Sequence, residues 1–195
     1  NKLGLDVGSA SGSFLYAAKQ LGFKCKGIEP SIWLTNYGKK KYKVDLHQGT
    51  LDTFKFKSKF DIIFFWDVLE HLSNLNGALK KVKKISKKNG LLIINVPDKN
   101  SFVARIFGRR WPFYLNVHLY NFDEKSITRL LNKYNFKLIK QYPHFQILSL
   151  GYVIQRASNY NVLFVYLYKI LNILGLVNIP FKYNLGQTTF IFKNK

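Results

Sequence analysis

Short apolar runs bounded by turn residues recur along the chain, and between them the apolar positions fall three or four residues apart. The runs predict strands buried on both faces, and the wider spacing predicts helices with one buried face. Strands are expected at residues 3–7, 24–29, 43–48, 60–66, 90–96, 136–143 and 188–193. Phe14 to Leu21 reads as a helix closed by Gly22, and Ser31 as the N-cap of a helix reaching Tyr37. Leu75, Leu79, Val82 and Ile85 form a third apolar face, and Asp123 caps a fourth helix whose Ile127, Leu130, Leu131 and Tyr134 share one side. Alternation of this kind specifies an α/β fold around a mainly parallel sheet.

Two stretches interrupt the alternation, at 98–122 and at 151–185. Open α/β sheets bind ligands at the carboxyl ends of their strands, so both inserts are expected to be acceptor-side elements of a single 195-residue domain. Residues 160–180 are apolar enough to raise the question of a membrane span, which needs about 20 such residues. Asn161, Lys169, Asn172, Gly175 and Asn178 argue against one. A lid whose Phe164, Leu167, Leu171 and Leu174 hold an apolar acceptor, or a helix lying in a membrane interface, fits the pattern better.

Composition narrows the function without naming it. The formal charge of +21 suggests a nucleic acid or an anionic surface. Yet only five of the 31 basic residues are arginine, the side chain suited to bidentate phosphate and base recognition. Lys80, Lys81, Lys83, Lys84, Lys87 and Lys88 lie opposite the apolar face of their helix and read as a solvated surface. The single cysteine, Cys25, has no internal disulfide partner, which fits a reducing compartment and a cytoplasmic location, with peripheral membrane contact left open.

The candidate chemistry starts at Leu5-Asp6-Val7-Gly8-Ser9-Ala10-Ser11-Gly12-Ser13-Phe14, a strand that breaks into a small-residue turn and opens a helix. Glycine there lets the backbone take positive φ and lets a ligand lie against bare main chain. Free N–H groups at the helix start suit a carboxylate or other polar atom. Glu29 ends the following strand, where an acid accepts hydrogen bonds from ribose hydroxyls.

These residues resemble the class I S-adenosylmethionine-dependent methyltransferases, whose first motif is acidic-x-Gly-x-Gly-x-Gly. Asp6, Gly8 and Gly12 match it, and Ala10 stands where the middle glycine belongs. The resemblance runs on through Gly27-Ile28-Glu29-Pro30-Ser31, through residues 60–72 and through residues 89–97, in the order found in the small-molecule branch. It implies a Rossmann-like three-layer sandwich of seven strands, the last antiparallel, with S-adenosylmethionine as cofactor. Carried over by position, it implies that Asp6, Gly8, Ser9 and Gly12 line the cofactor turn and that Glu29 takes the ribose. Thr50 and Leu51 would flank the adenine, and Phe65 and Trp66 would line the methionine portion. Phe65 and Leu51 also suit the core.

The segment Arg109-Arg110-Trp111-Pro112-Phe113 followed by His118-Leu119-Tyr120-Asn121-Phe122 resembles the acceptor-side stretch of these enzymes. Trp111, His118 and Tyr120 are thereby expected at the substrate, with His118 as candidate general base because its intrinsic pKa suits proton removal near neutrality. Adjacent Glu70 and His71 do not share a helical face and no second ligand lies near them in sequence, so no metal site is expected. A chain without methionine that begins in a strand is expected to lack the N-terminal helix that closes the cofactor pocket in this family. The implied reaction is methyl transfer to an oxygen or nitrogen of a small, sugar- or lipid-linked acceptor. RNA methylation and a non-catalytic cofactor-binding scaffold are the alternatives. Against nucleic acid, Trp66-Asp67-Val68 stands where base-nitrogen methyltransferases carry Pro-Pro-aromatic, and Cys25 lies on a strand away from the position of a cysteine nucleophile.

Overall fold

The computed structural model describes residues 2–159 and 161–195, so Tyr160, the first residue of the apolar 160–180 segment, lies outside the described residues. In chain order the elements are β1 (Leu3–Val7), α1 (Ser13–Gln20), β2 (Lys24–Glu29), α2 (Ile32–Tyr42), β3 (Leu46–Gln48), β4 (Phe60–Trp66), α3 (Leu75–Ile85), β5 (Ser86–Pro97), α4 (Phe102–Phe107), α5 (Glu124–Asn132), β6 (Phe136–Pro143), β7 (Gln146–Ser149), α6 (Leu150–Ala157), α7 (Leu163–Ile173), β8 (Pro180–Tyr183) and β9 (Gln187–Asn194). Single 3-10 turns stand at Leu69–His71 and Gly108–Arg110. Two compact units result, one made of the chain up to Pro143 with Gly186–Lys195, the other of His144–Leu185.

The larger unit holds a seven-stranded sheet in the order β3-β2-β1-β4-β5-β9-β6. Neighbours from β3 to β5 run parallel, while β9 pairs antiparallel with both β5 and β6. This is the mainly parallel sheet that the alternating pattern implied, with the Rossmann-like order and antiparallel last strand that the resemblance implied. Successive side chains of a strand point to opposite faces, and β4 shows the result. Ile63 and Phe65 enter the main core with Leu79 and Val82 of α3 and Ile127 and Leu131 of α5. On the other face Phe64 and Trp66 meet Phe14 of α1, with ring centroids 4.8 and 5.4 Å apart. Each fully buried Leu, Ile, Val or Phe stabilises the fold by roughly 1.5–3 kcal/mol, so α3, which buries Leu75, Leu79, Val82 and Ile85, is held by its apolar face. Its lysines remain outside that face.

The boundaries differ from the sequence pattern where backbone geometry intervenes. Helix α2 runs through Gly38 to Tyr42 instead of stopping at Tyr37. A Cβ on Gly38 would stand 2.2 Å from the Ser11 carbonyl oxygen, so this glycine allows the helix to lie against the cofactor turn. Lys43 then caps α2 at φ 51, which keeps residues 43–45 out of the third strand. Asp123 caps α5 as expected, and Ser126 completes a capping box with it.

The smaller unit carries two strands that the pattern did not predict, β7 and β8, which pair antiparallel with each other. Between them stand α6 and α7. The apolar 160–180 segment contributes an 11-residue helix and breaks at Gly175, φ 70. Among the described residues no helix is long and apolar enough to cross a membrane.

Candidate active site

The turn after β1 is held by its neighbours. Gly8 and Ser9 donate backbone hydrogen bonds to the Ile28 carbonyl on β2 at 2.9 and 3.1 Å, and Gly12 closes the turn on Ser9 at 2.8 Å. Gly8 has φ 72, and a Cβ there would meet Val68 Cγ2 at 2.6 Å, so the turn is built from residues without side chains for two reasons at once. Ala10 occupies the place of the family's middle glycine and adopts the left-handed conformation at φ 47. For an L residue this costs about 1–2 kcal/mol, which the surrounding hydrogen bonds hold in place.

Glu29 lies against this turn. Its Oε2 accepts from Ala10 N at 2.9 Å and its Oε1 from Ser31 N at 3.0 Å, leaving further lone pairs on a buried carboxylate. Asp6, at the end of β1, is 2% exposed, and its Oδ1 has no hydrogen-bond partner among the described residues. Burial pushes its carboxyl up to about 7, Ser9 offsets part of the rise, and the Glu29 charge adds to it. Ser9 itself donates its hydroxyl to the Asp6 carbonyl at 2.9 Å. A positive-φ turn, an orphaned buried acid and an adjoining carboxylate together fit a nucleoside bearing polar groups at both ends. The structure thus brings together Asp6, Gly8, Ser9, Gly12 and Glu29.

The remaining cofactor-side residues divide. Thr50 sits on the turn after β3, where it engages the backbone and hydroxyl of Thr53. Trp66 is partly exposed at the end of β4, stacked on Phe64. Phe65 and Leu51 are 0% and 5% exposed within the main core. Strand alternation turns Phe65 away from the face that carries Trp66, so its place is in the core rather than along a ligand.

A buried polar network beside Trp66 went unread in the sequence. Asp67, at φ 54, accepts at Oδ1 from Asn95 Nδ2 and Gln187 Nε2 at 2.8 and 2.6 Å. Thr189 donates to Asn95 Oδ1 at 3.0 Å. A polar residue inside the apolar run Ile93-Ile94-Asn95-Val96 was the available signal, since a buried amide needs partners. The network joins β4, β5 and β9 at the edge where the two inserts leave the sheet.

The first insert is tied to this edge from both ends. Asp98 bridges Phe122, and the Leu119 and Tyr120 amides donate to the Glu70 carbonyl at 2.9 and 3.3 Å. Trp111, expected at the substrate, is 2% exposed and packs edge-on against Phe113 and Tyr114. It anchors the insert rather than presenting a face to a ligand. Tyr120 stacks on Phe122 and is partly buried. His118 Nδ1 lies 2.8 Å from the Phe113 carbonyl and His71 Nδ1 lies 2.9 Å from the Val117 carbonyl. The two rings meet edge to face with centroids 4.8 Å apart. Burial and the neighbouring His71 hold His118 below the ordinary histidine range. Beneath them Glu70 is 1% exposed, and beyond its own backbone amide neither carboxylate oxygen has a hydrogen-bond partner among the described residues. Burial pushes its carboxyl up to about 8, its own backbone amide offsets part of this, and Asp67 adds to it.

Comparison with known proteins agrees with this geometry. A family model described as a methyltransferase domain matches residues 1–141. The chain belongs to this methyltransferase family. Its sheet and glycine turn are those of a class I S-adenosylmethionine-dependent methyltransferase. The ubiquinone biosynthesis O-methyltransferase of Pelagibacter ubique is 29% identical over 114 residues, covering 55% of the chain and 48% of that enzyme. Its counterpart in Bradyrhizobium diazoefficiens is 25% identical over 114 residues, with 55% and 45% covered. The chain therefore spans about half the length of these curated relatives. Among solved structures, a SAM-dependent methyltransferase of Thermotoga maritima superimposes with TM-score 0.63 at 20% identity, covering 100% of the chain and 83% of its own. Magnesium protoporphyrin IX methyltransferase of Synechocystis, solved with bound SAH, gives TM-score 0.64 at 13% identity, with 100% and 75% covered. At these identities the structural likeness concerns the fold of the methyltransferase domain.

Proposed function

We propose that the protein transfers a methyl group from S-adenosylmethionine to an oxygen or nitrogen of a small acceptor that carries an apolar or sugar-linked portion. The observation that carries this reading is the 2.9 Å contact between Glu29 and the Ala10 amide. It holds the carboxylate that would take the ribose against the turn that would carry the rest of the nucleoside. S-adenosylmethionine bound there supplies an electrophilic methyl on a positively charged sulfur. Gly8, Ser9 and Gly12 would follow its amino-acid portion with backbone groups, Thr50 would flank the base, and Trp66 would border the methionine end. Their contribution to rate is positioning, because an acceptor held in line reacts at a very high effective concentration.

On the acceptor side, His118 is the group able to take a proton. A carbonyl oxygen only accepts, so the contact to Phe113 places the ring proton on Nδ1 and leaves the Nε2 lone pair available. The depressed pKa keeps that lone pair unprotonated near neutrality. Tyr120 lies in the same segment as a candidate substrate contact. The apolar acceptor is supported by the exposed Leu163, Tyr166, Ile170 and Ile173 of α7, and by relatives named for ubiquinone biosynthesis.

The test is binding of S-adenosylmethionine and of its demethylated product by calorimetry, in wild type and in Glu29→Ala. Loss of charge-assisted hydrogen bonds worth roughly 1.5–3 kcal/mol should weaken affinity about 10- to 150-fold while the melting temperature stays close to wild type. Equal affinities in the two proteins would refute the assignment.

A further inference from the structure

We propose that Glu70, His71 and His118 form a binding site for one divalent transition-metal cation of the zinc class. Each offers a ligand atom, and these atoms all lie within 4.8 Å of one another. The two histidines are 47 positions apart in sequence and meet because the insert folds back over the turn that follows β4.

Three independent features favour a cation over a structural cluster. Each imidazole directs Nδ1 at a backbone carbonyl, Val117 for His71 and Phe113 for His118. Both contacts require Nδ1 to donate, so Nε2 is the nitrogen of each ring that remains to bind a cation. That outer hydrogen bond is the usual way in which a metal-binding histidine is oriented. The second feature is Glu70, 1% exposed and with no partner beyond its own backbone amide for either oxygen among the described residues. Burying a carboxylate without a full set of hydrogen bonds or a counter-charge is costly, and a cation between it and the two rings removes that cost. The third is supply of ligands from two segments already joined, since Leu119 N and Tyr120 N hold the Glu70 carbonyl. The ligand set therefore needs no refolding to assemble.

The chemistry of the donors selects the ion. Two imidazoles and one carboxylate suit zinc or ferrous iron, whereas magnesium and calcium take sets dominated by oxygen. Zinc bound to nitrogen at about 2.0–2.1 Å places neighbouring ligands roughly 3.3 Å apart, so small side-chain rotations close the cluster on an ion. Three protein ligands leave a coordination position open, the pattern of a catalytic rather than a purely structural site. An acceptor hydroxyl bound there would have its pKa lowered by the ion and would release its proton to solvent, so that with the cation bound His118 is a ligand and its role as proton acceptor belongs to the cation-free protein. The placement of this position at the acceptor rests on the function proposed above; the binding of the cation does not.

The experiment is a calorimetric titration of the intact, chelator-treated protein with zinc chloride, repeated with cobalt(II) to read its visible absorption spectrum. One equivalent should bind to wild type and to His47→Ala, a control that removes an exposed histidine paired with Asp45. Glu70→Gln and His118→Ala should each weaken that equivalent by more than the roughly 10–100-fold that loss of an outer hydrogen-bond partner costs. The cobalt spectrum of wild type should show a low-symmetry site that these two variants lose. S-adenosylhomocysteine affinity, measured on the same samples, should be unchanged in both and reports that the fold persists. Absence of zinc binding in wild type, or an equivalent retained at full affinity in Glu70→Gln and His118→Ala, would overturn the proposal. One-to-one zinc binding without any S-adenosylhomocysteine binding would sustain the cation site and defeat the methyl-transfer reading.

Discussion

At the scale of single residues, Asp6 shows how the site is maintained against stability. Its carboxyl stands at about 7 because burial removes its water, far above the 3.8 of an exposed aspartate. Between those two values the unfolded chain has released a proton that the folded chain retains. Stability of the ligand-free protein should therefore fall as pH rises from about 4 to about 7 and level off above that, the carboxylate contributing an unfavourable term of up to about 4 kcal/mol. Asp6→Asn keeps the shape and removes the titration. Thermal melts at about pH 5 and about pH 8 should show the variant gaining on wild type at the higher pH, and identical pH profiles would mean that Asp6 does not titrate as placed. Ala10 is a second local cost, since its φ of 47 is one that glycine adopts freely. Its amide, rather than its side chain, is what Glu29 uses.

At the scale of elements, α2 packs closely against the cofactor turn. Gly38 lies within α2 and passes so close to Ser11 that a methyl group would overlap the Ser11 carbonyl. In an exposed helix Gly→Ala gains about 1 kcal/mol. Here overlap with backbone should reverse the sign and cost about 1–3 kcal/mol, because α2 must move away from the turn. Gly38→Ala is thus expected to lower the melting temperature by several degrees and to weaken S-adenosylhomocysteine binding, although it touches no ligand. A rise in melting temperature with full affinity would show that α2 does not support the turn. The first insert obeys the same logic, since Glu70 holds Leu119 and Tyr120 through its backbone while its carboxylate has no partner beyond its own backbone amide among the described residues.

At the scale of the whole molecule, charge and exposed apolar surface are the features that a partner would meet. The net charge of +21 is carried mainly by lysine, including four lysines of α3, of which Lys80 and Lys84 are exposed. Any affinity for RNA or DNA should be sequence-independent, about 10⁻⁴–10⁻⁶ M at physiological salt, and should fall linearly with log salt concentration. A filter-binding series over salt checks this, and a specific complex with methyl incorporated into a base would instead establish a nucleic-acid substrate. On α7, Leu163 is 72% and Ile170 54% exposed, and both lie on the same helical face as Leu167, one of the positions expected to hold an acceptor. Exposed substitutions change stability by about 0.5 kcal/mol or less. Leu163→Ser with Ile170→Ser should therefore leave the melting temperature nearly unchanged while lowering turnover of a lipid-linked acceptor relative to a water-soluble one. Equal turnover of both acceptors would remove α7 from substrate recognition.

Much of this protein is determined by local sequence. Alternation of apolar runs with three-to-four spacing suffices to locate the seven strands of the main sheet, most firmly β1 and β4, where burial on both faces leaves a strand few alternatives. Small residues at Gly8 and Gly12 with an acid at Glu29 announce the cofactor end, since few side chains tolerate positive φ and close backbone approach. What the tertiary structure alone decided is which distant groups meet. Asn95 of β5 and Gln187 and Thr189 of β9 share one buried network with Asp67, which follows β4. Trp111 turns inward as an anchor, Phe65 belongs to the core, and β7 pairs with β8. His118 reaches His71 across 47 residues, a meeting that sequence proximity argues against. Periodicity encodes the face that a residue buries, but the partner it meets there depends on how loops return to the sheet, and that is set by packing of the whole chain.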